Sequence, residues 1–150
     1  MPNGYFVDTN VLLYTKDPKV PSKGARALEW LSALANENRI VVSPQVLNEF
    51  AHNIIRKFPH VSYDELLQNV EALRPWCVAP ITDGTTLHAL QIHRRFRFSF
   101  YDCVLLATAM DFACEVFLSE DLTHDQQIGR LRIVNPFNVA PSAFLGQASL

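Results

Sequence analysis

FVDTNVLLY, Phe6 to Tyr14, places a carboxylate inside an otherwise apolar run. Phe6 and Val7, with Gly4 and Tyr5 before them, read as a short buried strand ending at Asp8, and Val11, Leu12 and Leu13 as the continuation of the buried run. Only Thr9 and Asn10 keep Asp8 polar company there. A strand-end Asp has a local explanation, a bond to its own backbone. Taken alone, the stretch leaves that explanation level with a functional one, so the other groups at the same edge of the fold must decide.

Outward from this strand, ARALEWLSALA reads as a helix with Leu28, Leu31 and Leu34 at helical spacing, and RIVVS as a second strand. Ser43 offers an N-cap and Pro44 a first-turn proline to a helix through about Lys57, whose apolar set is Val46, Leu47, Phe50, Ala51, Ile54 and Phe58. SYDELLQNVEALR opens on the capping-box pair Ser62 and Glu65 and is followed by Pro75. CVAPI is a weaker strand, because Pro80 cannot donate to a ladder. TDGTTLHALQIHRRF is helical, and Ser99 caps a helix from Phe100 to about Ala113. EVFLSED is a strand ending in acids, and LRIVN a last short strand. Strands that alternate with helices and read as continuous apolar runs belong to a parallel sheet covered on both faces. The expected fold is α/β, three layers about a mainly parallel central sheet. In such sheets sites form beyond the carboxyl ends of the strands, which is where Asp8 stands.

The 150 residues make one domain, 1–150, long enough to bury roughly two-thirds of the surface its unfolded chain exposes. No apolar run approaches the roughly 18 residues that would span a bilayer, so no membrane association is expected. The start MPNGYFVDTN lacks the basic and apolar segments of a signal peptide, and a cytoplasmic location is expected. Cys77, Cys103 and Cys114 have no metal-type pair spacing and sit in apolar surroundings that suit buried, reduced thiols. A formal net charge of -2 argues against holding nucleic acid by global electrostatics, though not by a local patch.

Further acids fall near the edge that Asp8 marks. Asp102 is an N3 capping partner for Ser99, yet it lies beside Leu105, Leu106 and Ala109 on a helix apolar nearly all round, where a carboxylate needs a partner. Glu49 falls off its helix's apolar face, near Gln45, Asn53 and Arg56, where a solvated pair with Arg would be ordinary. Glu120, Asp121 and Asp125 occupy a loop in which acids serve as turn formers. Singly each has a bland reading. Together, Asp8 and the 120–125 cluster end two strands, and Asp102 opens the helix that feeds the second. Carboxylates gathered in one crevice repel one another until some are protonated or a divalent cation joins them. Oxygen-only donors favour Mg²⁺ or Mn²⁺ over Zn²⁺, and such sites typically hydrolyse phosphodiesters with metal-activated water.

FVDTNVLLY, VVSPQVLNEF with Glu49, SFYDCVLLATAM with Asp102 and FLSEDL with Asp121 occur in the order and at the approximate separations of PIN-domain ribonucleases. The resemblance covers nearly the whole chain and is close to the VapC-type toxins of toxin-antitoxin pairs, with IVNPF adding to it. It implies a three-layer α/β/α sandwich, a Mg²⁺ or Mn²⁺ cofactor and endonucleolytic cleavage of RNA. It further implies that Asp8, Glu49, Asp102 and Asp121 are the acidic quartet. Asp8, Asp102 and Asp121 would be the direct metal contacts, and Thr9, Asn10 and Ser99 would orient them. One departure from the family pattern leaves a further acid open between Glu120 and Asp125, since the next acid after Asp121 stands four residues on. Partners implied are an RNA substrate, a cognate small antitoxin and a second copy of the chain in a homodimer.

HRRFRFSFYD, His93 to Asp102, interleaves Arg94, Arg95 and Arg97 with aromatic residues ahead of Asp102, as a single-strand channel requires. The arginines could equally complement a helix C-terminus, and the aromatics read as core. One or two of the arginines are expected at phosphate, and none of the aromatics at bases. Two catalytic rivals fit less well. A phosphoacceptor receiver wants paired acids after the first strand and a late lysine, whereas VDTN has one acid and no Lys follows Lys57. A haloacid-type phosphatase wants Asp-x-Asp, and Asn10 stands at the third position. The alternative from another class is a PIN-like binding module with a vestigial acidic site.

Overall fold

The structure is a computed structural model and describes residues 3–145. Strand β1 (Tyr5–Val7) passes through Asp8 directly into helix α1 (Thr9–Tyr14), and α2 (Pro21–Asn36) leads to β2 (Ile40–Val41). Helices α3 (Pro44–Lys57) and α4 (Tyr63–Leu73) follow, then a 3₁₀ turn at Arg74–Trp76, α5 (Asp83–Phe96) and α6 (Phe100–Asp111). The chain ends in β3 (Val116–Leu118), β4 (Gln127–Ile128), β5 (Leu131–Val134) and a short α7 (Ser142–Leu145). The five strands lie in the order β2-β1-β3-β5-β4, all parallel except β4. This is the expected three-layer α/β/α architecture around a mainly parallel sheet.

Both faces of the sheet are covered. Tyr5, Phe6 and Val7 alternate in direction along β1, yet all three are buried, as are Val116, Phe117 and Leu118 of β3. Phe6 and Phe117, paired in register, stack at 5.3 Å on one face, while Tyr5 meets Trp30 of α2 at 6.2 Å on the other. Because β1 has β2 on one side and β3 on the other, its carboxyl end is the point where the chain's strand order diverges. Crevices form at such points.

Four sequence expectations change. Val11, Leu12 and Leu13 do not continue the strand: Asp8 caps α1, its side chain accepting from the Thr9 amide, and the apolar residues become one buried helical turn. Leu28 is exposed, because α2 turns Ala27, Trp30 and Leu34 inward. Trp30 sets that rotation, its indole N–H donating to the carbonyls of Pro136 and Val139 at 3.0 Å each. CVAPI forms no strand; Cys77 alone makes a bridge, to Val42. A hairpin joins β4 to β5 through Gly129 and Arg130, with Gly129 at φ 59°, a conformation that glycine adopts without penalty. The helix starts at Ser43, Ser62 and Ser99 stand as read, each hydroxyl accepting the amide three residues on. Among the described residues no helix is long and apolar enough to cross a membrane.

Candidate functional site

Asp8 is the deepest member of the acidic group, 6% exposed at the carboxyl end of β1. One carboxylate oxygen accepts the Thr9 amide at 2.7 Å; the other accepts Ser119 Oγ at 2.8 Å and Asn10 Nδ2 at 3.3 Å. Capping therefore uses one oxygen, while the second is shared with residues of the neighbouring strand end. Burial pushes the Asp8 carboxyl up to about 7, against the pull of the Ser119 and Thr9 bonds and with Asp102 and Glu49 adding repulsion.

The remaining acids arrive from three directions. Glu49 rises from α3, the helix that follows β2, and accepts Thr9 Oγ1 at 2.8 Å and Gln45 Nε2 at 2.9 Å. Arg56 bonds His52 instead, so Glu49 is drawn to the crevice and not into a solvated helix pair. Asp102 stands in the first turn of α6, its amide donating to Ser99 Oγ at 3.2 Å. Burial raises its carboxyl, Ser99 opposes the rise, and Asp121 and Glu49 add to it. Gln45 Nε2 also donates to the Tyr101 carbonyl at 3.2 Å, tying α3 to the start of α6. Asp121 lies in the turn after β3, where its side chain accepts Asn10 Nδ2 at 2.9 Å and its amide donates to Ser119 Oγ at 3.2 Å. Asn10 thus spans Asp8 and Asp121, and Thr9 connects the same turn to Glu49.

Glu120 and Asp125 differ from these four in having cations of their own. Burial raises Glu120, but Lys23 and Tyr14 outweigh it and hold the carboxyl below its ordinary range. Asp125 is exposed, at φ 67°, and held low by Arg132 with His124 also beside it. For Asp8, Glu49, Asp102 and Asp121 the bonded donors are neutral: amide, hydroxyl or carboxamide. Among the described residues no Lys, Arg or His forms an ion pair with any of the four. Hard oxygen donors that raise one another's proton affinity are suited to a divalent cation. As they stand, no three His, Cys, Asp or Glu side chains among the described residues are grouped to hold one ion. Asp121 is exposed and Asp102 only partly buried, so both have room to turn toward Asp8.

Arg94 and Arg95 end α5, and Arg97 is its left-handed C-cap at φ 63°. All three are exposed, and none has an ion pair among the described residues. Arg95 lies over the Phe96 ring at 5.0 Å. Phe96, Phe98 and Phe100 pack against the core as read, whereas Tyr101 is 67% exposed. The sequence reading passes over Ser119 and gives Gln45 no part in the site. A fully buried hydroxyl between Leu118 and two acids was the available signal for Ser119; Gln45 offered none beyond standing one helical turn before Glu49.

Known proteins bear on this arrangement. No curated protein matches the chain in sequence. Solved structures with the same fold include a toxin-antitoxin complex from Klebsiella pneumoniae, at TM-score 0.63 and 17% identity, covering 89% of this chain and 98% of that one. VapBC2 from Rickettsia felis, bound to a DNA fragment from its promoter, aligns at TM-score 0.62 and 14% identity over 86% of this chain and 96% of that one. The Mycobacterium tuberculosis toxin VapC20, which cleaves the sarcin-ricin loop, aligns at 0.59 and 18% over 79% and 92%. Identities at this level speak to fold alone. The PIN domain profile matches residues 5–127, a span that runs from β1 to the start of β4 and contains all four acids. On that match, the chain belongs to the PIN domain family.

Proposed function

We propose that this chain is a metal-dependent endoribonuclease and the toxin of a VapBC-type toxin-antitoxin pair. One observation carries the reading: four carboxylates from β1, α3, α6 and the turn after β3 share a crevice with neutral donors only, while nearby Glu120 and Asp125 are each matched to a cation. Membership of the PIN family and the fold shared with toxins of antitoxin pairs support it.

Asp8, Asp102 and Asp121 would hold Mg²⁺ or Mn²⁺. When bound, the ion would supply Lewis acidity toward a phosphoryl oxygen and its attacking water. The chain's own groups set the stage. Asn10 holds Asp8 and Asp121 to one another, Ser119 fixes the Asp8 oxygen from below, and Thr9 with Gln45 orients Glu49. Arg94, Arg95 and Arg97 offer unpaired charge to the RNA backbone. A small antitoxin would hold the toxin inactive, and the toxin would pair as a homodimer in the cytoplasm.

The test is sequencing of RNA ends after brief expression of wild type and of Asp8→Asn. New 5′-phosphate ends with wild type, absent with Asp8→Asn, are expected. Equal cleavage by the two, or intact RNA across substrates with Mg²⁺ or Mn²⁺ present, would sink the proposal. Light scattering of the purified chain checks the homodimer.

A further inference from the structure

One cation beside the acidic crevice is tied down. Lys23, in the first turn of α2, is ion-paired with Glu120 and reaches Tyr14 Oη at 3.4 Å. Tyr14, the last residue of α1, donates from Oη to the other Glu120 oxygen at 2.6 Å. The Lys23 ammonium also stands 4.9 Å from the centre of the Tyr14 ring and 5.4 Å from that of Phe137, and these two rings meet edge to face at 5.0 Å. Two helices and the segment after β5 therefore converge on one carboxylate of the turn after β3. Gly24 permits the convergence, since a Cβ there would lie 3.0 Å from the Tyr14 carbonyl oxygen. Any larger residue would push the start of α2, and Lys23 with it, away from α1.

Both chain neighbours of Glu120 belong to the acidic crevice. Ser119 donates to Asp8 and accepts the Asp121 amide, and Asp121 is held by Asn10. The Glu120 amide itself donates to Asn10 Oδ1 at 3.4 Å. The turn is thus fastened on both sides, by Asp8 at Ser119 and by the Lys23 and Tyr14 pair at Glu120, leaving the exposed Asp121 a fixed backbone to act from. Neutralised by Lys23, Glu120 adds little repulsion to the four acids beside it.

We propose that Tyr14, Lys23 and Glu120 form a positioning clamp that sets Asp121 for divalent-cation binding, with Lys23 touching neither ion nor RNA. The clamp rests on the metal-dependent reading above and adds to it three residues that act through Asp121.

Mn²⁺ binding to the full chain, followed by calorimetry and by the electron paramagnetic resonance of free Mn²⁺, tests the clamp. Lys23→Met keeps the apolar stem and removes the charge; it should weaken Mn²⁺ binding roughly tenfold, within the range seen when partners of metal ligands are lost. Lys23→Arg should restore most of the loss. In an Asp121→Asn background, Lys23→Met should weaken binding no further, because the residue it acts through is already gone. If Lys23→Met does not fold, Glu120→Gln, which keeps the shape and loses the ion pair, should weaken binding in the same direction. Binding by these variants equal to wild type overturns the clamp, even where the melting temperature falls, and so does an equal further loss in the Asp121→Asn background. A wild type that takes up no Mn²⁺ overturns the metal-dependent reading itself, and the clamp with it.

Discussion

At the scale of single residues, Asp8 serves two ends with one carboxylate: an oxygen that caps α1 and an oxygen that faces Ser119 and Asn10. Burial raises its carboxyl from 3.8 to about 7, so between those values the folded chain keeps a proton that the unfolded chain has released. Stability from this group is present below about pH 4 and is lost as pH rises toward 7. With chelator present, the denaturant midpoint of wild type should fall between pH 5 and pH 8 by more than that of Asp8→Asn, which has no carboxyl to titrate. Parallel midpoints would show that Asp8 does not titrate in this window. Ser119 is fully buried, and Ser119→Ala strips one bond from Asp8 and one from the Asp121 amide. Its expected cost is about 1–3 kcal/mol in chemical denaturation, with a loss of RNA cleavage of roughly ten- to a hundredfold.

At the scale of elements, strand-to-helix junctions make the site. β1 ends in a residue that caps α1, β2 leads through Ser43 to the helix bearing Glu49, and β3 ends in the hydroxyl that joins Asp8 to Asp121. Each junction was legible in part, because caps and prolines are local chemistry: Ser43, Pro44 and Ser99 marked two of the helices that carry acids. Val11 to Leu13 were misread because a run of three apolar residues is too short to show a period, and the cap at Asp8 tipped it to helix. The α1–α2 contact depends on Gly24. An exposed helical Gly→Ala exchange ordinarily gains about 1 kcal/mol; here the added Cβ meets backbone oxygen at 3.0 Å. Gly24→Ala should therefore lower the melting temperature instead of raising it, and a gain in scanning calorimetry would show that α2 shifts without penalty.

At the scale of the whole molecule, a net charge of -2 coexists with a local run of unpaired arginines, so any RNA affinity should come from a few phosphate contacts. Each contact to single-stranded RNA adds about 0.7 to the slope of log affinity against log salt. Replacing Arg94, Arg95 and Arg97 together by Ala in an Asp8→Asn background should reduce that slope by about 0.7–1.4, matching one or two contacts. An unchanged slope in anisotropy titrations would place the RNA elsewhere. The thiols report on the packing of the sheet and helices. Burial raises all three, and Cys114 is pushed up to about 12. In native protein at pH 8, half-buried Cys77 should react first with a disulfide reagent, while Cys103 and Cys114 wait for opening of the core. Rapid labelling of Cys114 would mean that the α6–β3 region opens well below the global unfolding free energy.

The order of apolar strands, helices and acid-bearing strand ends lay in the sequence by itself, since burial patterning, capping and turn chemistry act over a few residues. From that order came the parallel sheet and the edge at which Asp8, Asp102 and Asp121 would meet. The strand order β2-β1-β3-β5-β4 and the partner of each charge were decided only in three dimensions. Glu49 could have paired with Arg56 one turn away and instead meets Thr9, 40 residues distant; Glu120 found Lys23 across 97 residues, and Asp125 found Arg132. Whether an acid is neutralised or left to repel its neighbours depends on separations of a few ångströms, and the packing of helices on the sheet sets those.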